Sequence, residues 1–97
     1  MDDDTESLLH WAAREGHTEI ARILIDRNQI EVDAVNKHKW TPLHWAVREG
    51  HYDTARLLLE KRADKNLKTG NGQTPIDLAR RYHENDIIKL LKTWISD

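Results

Sequence analysis

The chain has 97 residues, a formal net charge of -2 and 33% charged residues with both signs interspersed, which fits one domain and argues against a dedicated polyanion binder. It has no cysteine, so disulfides and thiolate metal sites are excluded. No apolar run approaches the ~20 residues of a membrane-spanning helix.

Met1-Asp2-Asp3-Asp4-Thr5 lacks the basic and apolar regions of a signal peptide. The expectation is an intracellular protein, cytoplasmic or nuclear. Asp2 to Asp4 would sit at the positive end of the first helix. That helix is capped by Ser7 or Thr5 and runs to Glu15, with Gly16 as its left-handed terminator. A second helix spans about Thr18 to Asn28, and a polar connection, Gln29 to Lys39, follows.

The middle unit is the clearest. Thr41 is a good N-cap and Pro42 sits at the first helical position, where its missing N–H costs nothing. The helix runs to about Glu49 and ends at Gly50. The next spans about Tyr52 to Lys61, with Ala55, Leu58 and Leu59 at i, i+3, i+4 spacing. The stretch Arg62 to Gln73 carries Gly70-Asn71-Gly72, a strong hairpin-turn signal. Thr74-Pro75 starts a helix to about Tyr82, and a last one covers about Asn85 to Trp94.

These elements repeat. Leu9-His10-Trp11-Ala12-Ala13-Arg14-Glu15-Gly16-His17 recurs as Leu43-His44-Trp45-Ala46-Val47-Arg48-Glu49-Gly50-His51, with eight of nine positions identical at an offset of 34. A weaker copy, Thr74-Pro75-Ile76-Asp77-Leu78-Ala79, follows 33 residues later. A period near 33 means one supersecondary unit stacked on copies of itself. The expected fold is all-α: three helix-turn-helix units at about 5–35, 36–68 and 69–97, forming one domain, 1–97, with β-hairpin-like fingers between units.

Thr41-Pro42-Leu43-His44-Trp45-Ala46 matches the T-P-L-H-x-A signature of ankyrin repeats. Gly50-His51, Leu57-Leu58-Leu59 and Ala63-Asp64-Lys65-Asn66 resemble further family positions, so the resemblance covers Thr5 to about Thr93. It implies an ankyrin solenoid in which the signature histidine bonds locally to the capping hydroxyl and to backbone of the adjacent unit. There are departures. Asn28 and Arg62 stand where the family places glycine after the second helix, and Lys39 replaces the finger glycine. Ser7-Leu8 replaces Thr-Pro in the first unit, while Asp77 and His83 replace His and Gly in the third. Units one and three therefore read as caps around one full repeat.

Candidate chemistry is sparse. His10, His44, His17 and His51 read as structural. Nitrogens sharing zinc lie about 3.3 Å apart, whereas equivalent residues of adjacent units are separated by about 8–10 Å. No metal or cofactor is expected. Ser7 and Ser96 lie near the chain ends, no phosphate-binding glycine motif occurs, and a short solenoid has no deep cavity, so catalysis is not expected either.

Protein recognition remains, on the concave face of fingers and first helices. Trp40, which nothing in the helical pattern requires, precedes the Thr41 cap. It either projects from its finger as an interface anchor or folds onto Trp45. Trp11 and Trp45 are expected one above the other on the inner face. Arg14, Arg48 and Arg81 should form a ladder along the groove, unless Arg14–Glu15 and Arg48–Glu49 are merely exposed ion pairs. The expected contacts are Trp40, Trp45 and Arg48, flanked by Lys37, His38, Trp11, Arg14, Arg81 and Tyr82. They favour a partner protein with acidic and apolar residues, bound by a monomer, with no membrane role. Two competing readings rank lower. One is a minimal or engineered repeat scaffold without a ligand. The other is nucleic-acid binding at Lys37-His38-Lys39-Trp40, whose basic patch is small.

Overall fold

A computed structural model describes residues 6–95. Its six helices are α1 Leu8–Glu15, α2 Thr18–Asp26, α3 Pro42–Arg48, α4 Tyr52–Glu60, α5 Pro75–Arg81 and α6 Asn85–Thr93. They stack as three antiparallel pairs, with α1, α3 and α5 in one layer and α2, α4 and α6 in the other. Contacts are closest along α1·α3·α5. A column of alanines, Ala12, Ala46 and Ala79, is wholly buried there. Small side chains let these helices approach. Leu9, Leu43, Leu58, Leu59, Leu78 and Ile87 fill the space between layers. Trp94 packs on this core.

Each first helix begins with a reciprocal cap. Ser7, Thr41 and Thr74 accept from the backbone N–H three residues on, and that residue's side chain accepts from the capping residue's N–H. Ser7 is thus the first cap. Thr5 and Asp2 to Asp4 lie outside the described residues.

His10 and His44 do more than close these caps. His44 Nδ1 accepts from the Thr41 N–H at 3.1 Å, and its Nε2 lies 3.0 Å from the Gln73 carbonyl. His10 does the same, with the Ser7 N–H at 3.0 Å and the Trp40 carbonyl at 2.8 Å. A backbone N–H only donates and a carbonyl only accepts. Each ring is therefore neutral with its proton on Nε2, and each fastens the next finger to its own helix. Asp77 keeps the cap but reaches no further unit.

The fingers are tight turns. In one, the Asn36 N–H donates to the Trp40 carbonyl and the Lys39 N–H to the Asn36 carbonyl. Thr69, Gln73 and Gly72 repeat this in the next, and the Gly70 N–H donates to the His38 carbonyl between them. No strand is present among the described residues, so the β-hairpin-like character expected of the fingers is not seen beyond these turn bonds.

Left-handed backbone occurs at Gly16, Gly50 and Gly72, but also at Gln29, Lys39, Arg62 and His83. At Gly16 a Cβ would also lie 2.7 Å from the His51 ring, whose Nε2–H donates to the Arg14 carbonyl at 3.0 Å. The turn after α2 corrects one expectation: Gln29, not Asn28, takes the left-handed position. Leu24 and Leu58 are 34 apart, but Gln29 and Arg62 are 33 apart. The one extra residue that makes the first offset 34 rather than 33, expected in the Gln29–Lys39 connection, thus sits before Gln29 at the C-terminal end of α2, where the closing bond is from the Ile30 N–H to the Leu24 carbonyl, against Ala63 to Leu58 in the next unit.

Burial, above all, pushes the His44 pKa below its ordinary value, although its bond to the Gln73 carbonyl acts the other way. Above pH ~6.5 the imidazole is neutral in both folded and unfolded chains. As pH falls through that value the unfolded chain takes up a proton before the folded one does, and stability is lost. The melting temperature should therefore fall from pH 7.5 to 5.5, His44 contributing at most about 1.4 kcal/mol per pH unit. His44→Gln should melt lower at pH 7.5 but with a flatter pH slope, and an unchanged slope would remove His44 as the titrating group.

Candidate functional site

The last turn of each first helix carries an arginine: Arg14 on α1, Arg48 on α3 and Arg81 on α5. A cation there complements the negative end of the helix dipole. The three do not stack directly on one another. The Arg14 guanidinium carbon lies 5.1 Å from the Trp45 ring centroid, and that of Arg48 lies 5.8 Å from Trp45 and 5.6 Å from Tyr82. Arg81 lies 6.0 Å from Tyr82. Cations and rings alternate as Arg14, Trp45, Arg48, Tyr82, Arg81. Each ring thus lies within about 6 Å of two guanidiniums, a cation–ring contact worth about 0.5–1 kcal/mol when exposed.

Tyr82 occupies the column in which Glu15 and Glu49 stand in the earlier units. With an aromatic there, Arg48 is shared between Tyr82 and Glu49, which it meets at 2.6 Å. Tyr82 first, and then Glu49, hold Arg48 more firmly in its charged form. Arg14 meets Glu15 at 3.7 Å. Both neighbouring ion pairs exist, but their exposure leaves them worth about 0–1 kcal/mol each. Arg81 makes no ion pair among the described residues.

At the finger end, the buried Asn36 organises the turn. Its Oδ1 accepts from the His38 N–H at 2.8 Å and the Trp40 N–H at 3.0 Å. With its backbone so held, Trp40 folds down: its ring is half-buried and lies 4.7 Å from Trp45 and 5.8 Å from His44. A shallow hollow of about 270 Å³ opens beside it, lined by Lys37, His38, Trp40, Gly70 and Asn71. The described residues contain no group of three or more His, Cys, Asp or Glu able to hold a metal. No helix among them is long and apolar enough to cross a membrane.

A family model described as ankyrin repeats (3 copies) matches residues 1–69. The chain belongs to the ankyrin-repeat family. Ankyrin repeats are generally protein–protein interaction modules and typically non-catalytic. No curated protein matches the chain. Residues 70–97 lie outside the family match, yet α5 and α6 continue the ankyrin stack. The unit departs from the family pattern at Asp77 and His83.

Of the residues singled out in the sequence, this ankyrin fold brings Trp40, Trp45, Arg14, Arg48, Tyr82 and Arg81 into one continuous strip. Lys37 and His38 are exposed at the adjoining finger. Trp11 is 39% exposed at the other edge, and its ring pairs with His17 at 5.0 Å, whereas Trp45 meets Trp40. Sequence reasoning missed Asn36 and Glu6. The Glu6 carboxylate lies among Arg14, Asn36 and Trp45, each at 2.8 Å. Asn36 was discoverable, since asparagine opening a turn bonds its own backbone two residues on. Glu6 was not, because its partners lie 8, 30 and 39 residues away.

The half-buried Trp40 ring contributes packing to Trp45 and the core. Trp40→Ala should cost about 2 kcal/mol, roughly 8–15 °C in melting temperature for a chain of this size. A melting temperature unchanged by the substitution would mean the ring is free in solution.

Proposed function

We propose that the face built from the fingers and first helices recognises another protein, non-covalently and without cofactor or turnover. The observation that carries this reading is the alternation of Arg14, Trp45, Arg48, Tyr82 and Arg81 along one strip. Arginine and aromatic residues dominate interface hot spots. Planar guanidinium groups bind carboxylates in forked geometry, and the rings offer apolar area at little conformational cost. The fitting partner presents acidic and apolar side chains together. Trp45, Arg48 and Trp40 form the centre, with Lys37 and His38 at the finger edge, Trp11 and Arg14 on one flank, and Arg81 and Tyr82 on the other. On this reading residues 1–97 act as one monomeric domain inside the cell, in cytoplasm or nucleus.

The face is tested by capture from lysate with identification of what binds, followed by affinity measurement. Arg48→Ala should weaken the identified partner by about 2 kcal/mol, roughly 30-fold, and Arg48→Lys should restore only part of this. Arg56→Ala on α4, in the other layer, should change nothing. Helical circular dichroism should be the same for all three. Binding that depends on Arg56 and ignores Arg48 would place recognition on the opposite layer.

A further inference from the structure

Glu6 is the residue before the Ser7 cap, outside any helix, and its carboxylate sits in the strip just described. Oε1 accepts from Arg14 Nη1, and Oε2 from both Asn36 Nδ2 and Trp45 Nε1, all at 2.8 Å. Three donors from α1, the first finger and α3 therefore converge on one carboxylate. The Glu6 side chain is only 13% exposed.

Two of the donors are oriented by contacts that do not involve Glu6. The Asn36 amide is fixed because its Oδ1 holds the His38 and Trp40 N–H groups, which turns Nδ2 outward. The Trp45 indole is fixed between the Trp40 ring and the Arg14 and Arg48 guanidiniums. A cradle preorganised in this way binds its anion with little reorganisation. Glu6, in contrast, precedes the first helix, so its release opens no helical hydrogen bond. On α1, the helix that carries Arg14, Leu8 and Trp11 stand three residues apart, exposed by 62% and 39%. At that spacing they share one helix face and form an apolar shoulder.

We propose that Arg14, Asn36 and Trp45 form a binding site for an aspartate or glutamate side chain of the partner protein, and that Glu6 is its internal placeholder. This rests on the recognition reading above and names the group that reading leaves general. The partner's carboxylate takes the three hydrogen bonds, its apolar neighbour covers Leu8 and Trp11, and Glu6 swings into solvent. A tethered carboxylate competes at its effective concentration, so the apparent affinity of the wild-type chain is reduced by the fraction of cradles Glu6 fills.

The test uses the full ¹⁵N-labelled chain as wild type, Glu6→Ala and Glu6→Gln, and follows the Trp45 indole N–H resonance. The probes are a blocked tripeptide with glutamate between two leucines and its glutamine counterpart. The glutamate peptide should shift the resonance in Glu6→Ala at a concentration at least 10-fold lower than in wild type, with Glu6→Gln in between and the glutamine peptide silent. Equal response of wild type and Glu6→Ala, equal response to both peptides, or no response in Glu6→Ala would each overturn the proposal. Should Glu6→Ala lose its dispersed spectrum, Glu6→Gln against wild type decides by the same comparison. A silent cradle combined with Arg48-dependent partner capture would remove the carboxylate site alone. Loss of that Arg48 dependence would remove the recognition reading beneath it.

Discussion

The whole stack depends on an imidazole with both nitrogens committed. His10 and His44 each accept a cap N–H on one side and donate to the next finger's last carbonyl on the other. Both residues are fully buried, so neither bond can be exchanged for water without cost. The arrangement fixes a distance that hydrophobic packing alone would leave loose, because burial of leucine and alanine is non-directional. It also explains why Thr-Pro-x-His works as a unit: the hydroxyl, the helix start and the ring position are one hydrogen-bonded object.

The same bond shapes the strip of rings and arginines. His10 holds the carbonyl of Trp40, and Asn36 holds its N–H and carbonyl, so the Trp40 backbone makes three hydrogen bonds to two residues. Its ring is thereby laid on Trp45. Trp45 in turn is the surface on which Arg14 and Arg48 rest. A bond whose first role is to join two repeats thus also sets the order of rings and cations on the face.

What sequence could reveal follows this division between local and distant causes. Helices, caps, terminating glycines and the structural role of the histidines were all readable, because each depends on residues within one turn or on a repeat period. The alternation along the strip was only half readable. Equal spacing puts Arg14, Arg48 and Arg81 in one column, but nothing in spacing says that Trp45 and Tyr82 come between them. The fate of Trp40 depended on Asn36 and on a histidine 30 residues earlier. The shift from Asn28 to Gln29 was hidden because one inserted residue can be absorbed at a helix end or anywhere in the loop after it, and only the hydrogen bond to Leu24 shows which. Glu6 was invisible for the same reason as any long-range contact: its three donors come from separate elements.

Among the described residues, four turns adopt left-handed backbone without glycine, at Gln29, Lys39, Arg62 and His83. None is β-branched, so each conformation is tolerated, at a cost of about 1–2 kcal/mol relative to an unstrained residue. Arg62 and His83 both follow helices, as does Gln29, and none of the three belongs to the strip of rings and arginines. The repeat therefore carries mutational slack at positions outside that strip. A lineage of such chains can gain tolerance to heat, or absorb the damage of changes elsewhere, by altering these turns while the strip stays as it is. Lys39 is the exception, since it stands next to Trp40, and there any change of turn is also a change of edge.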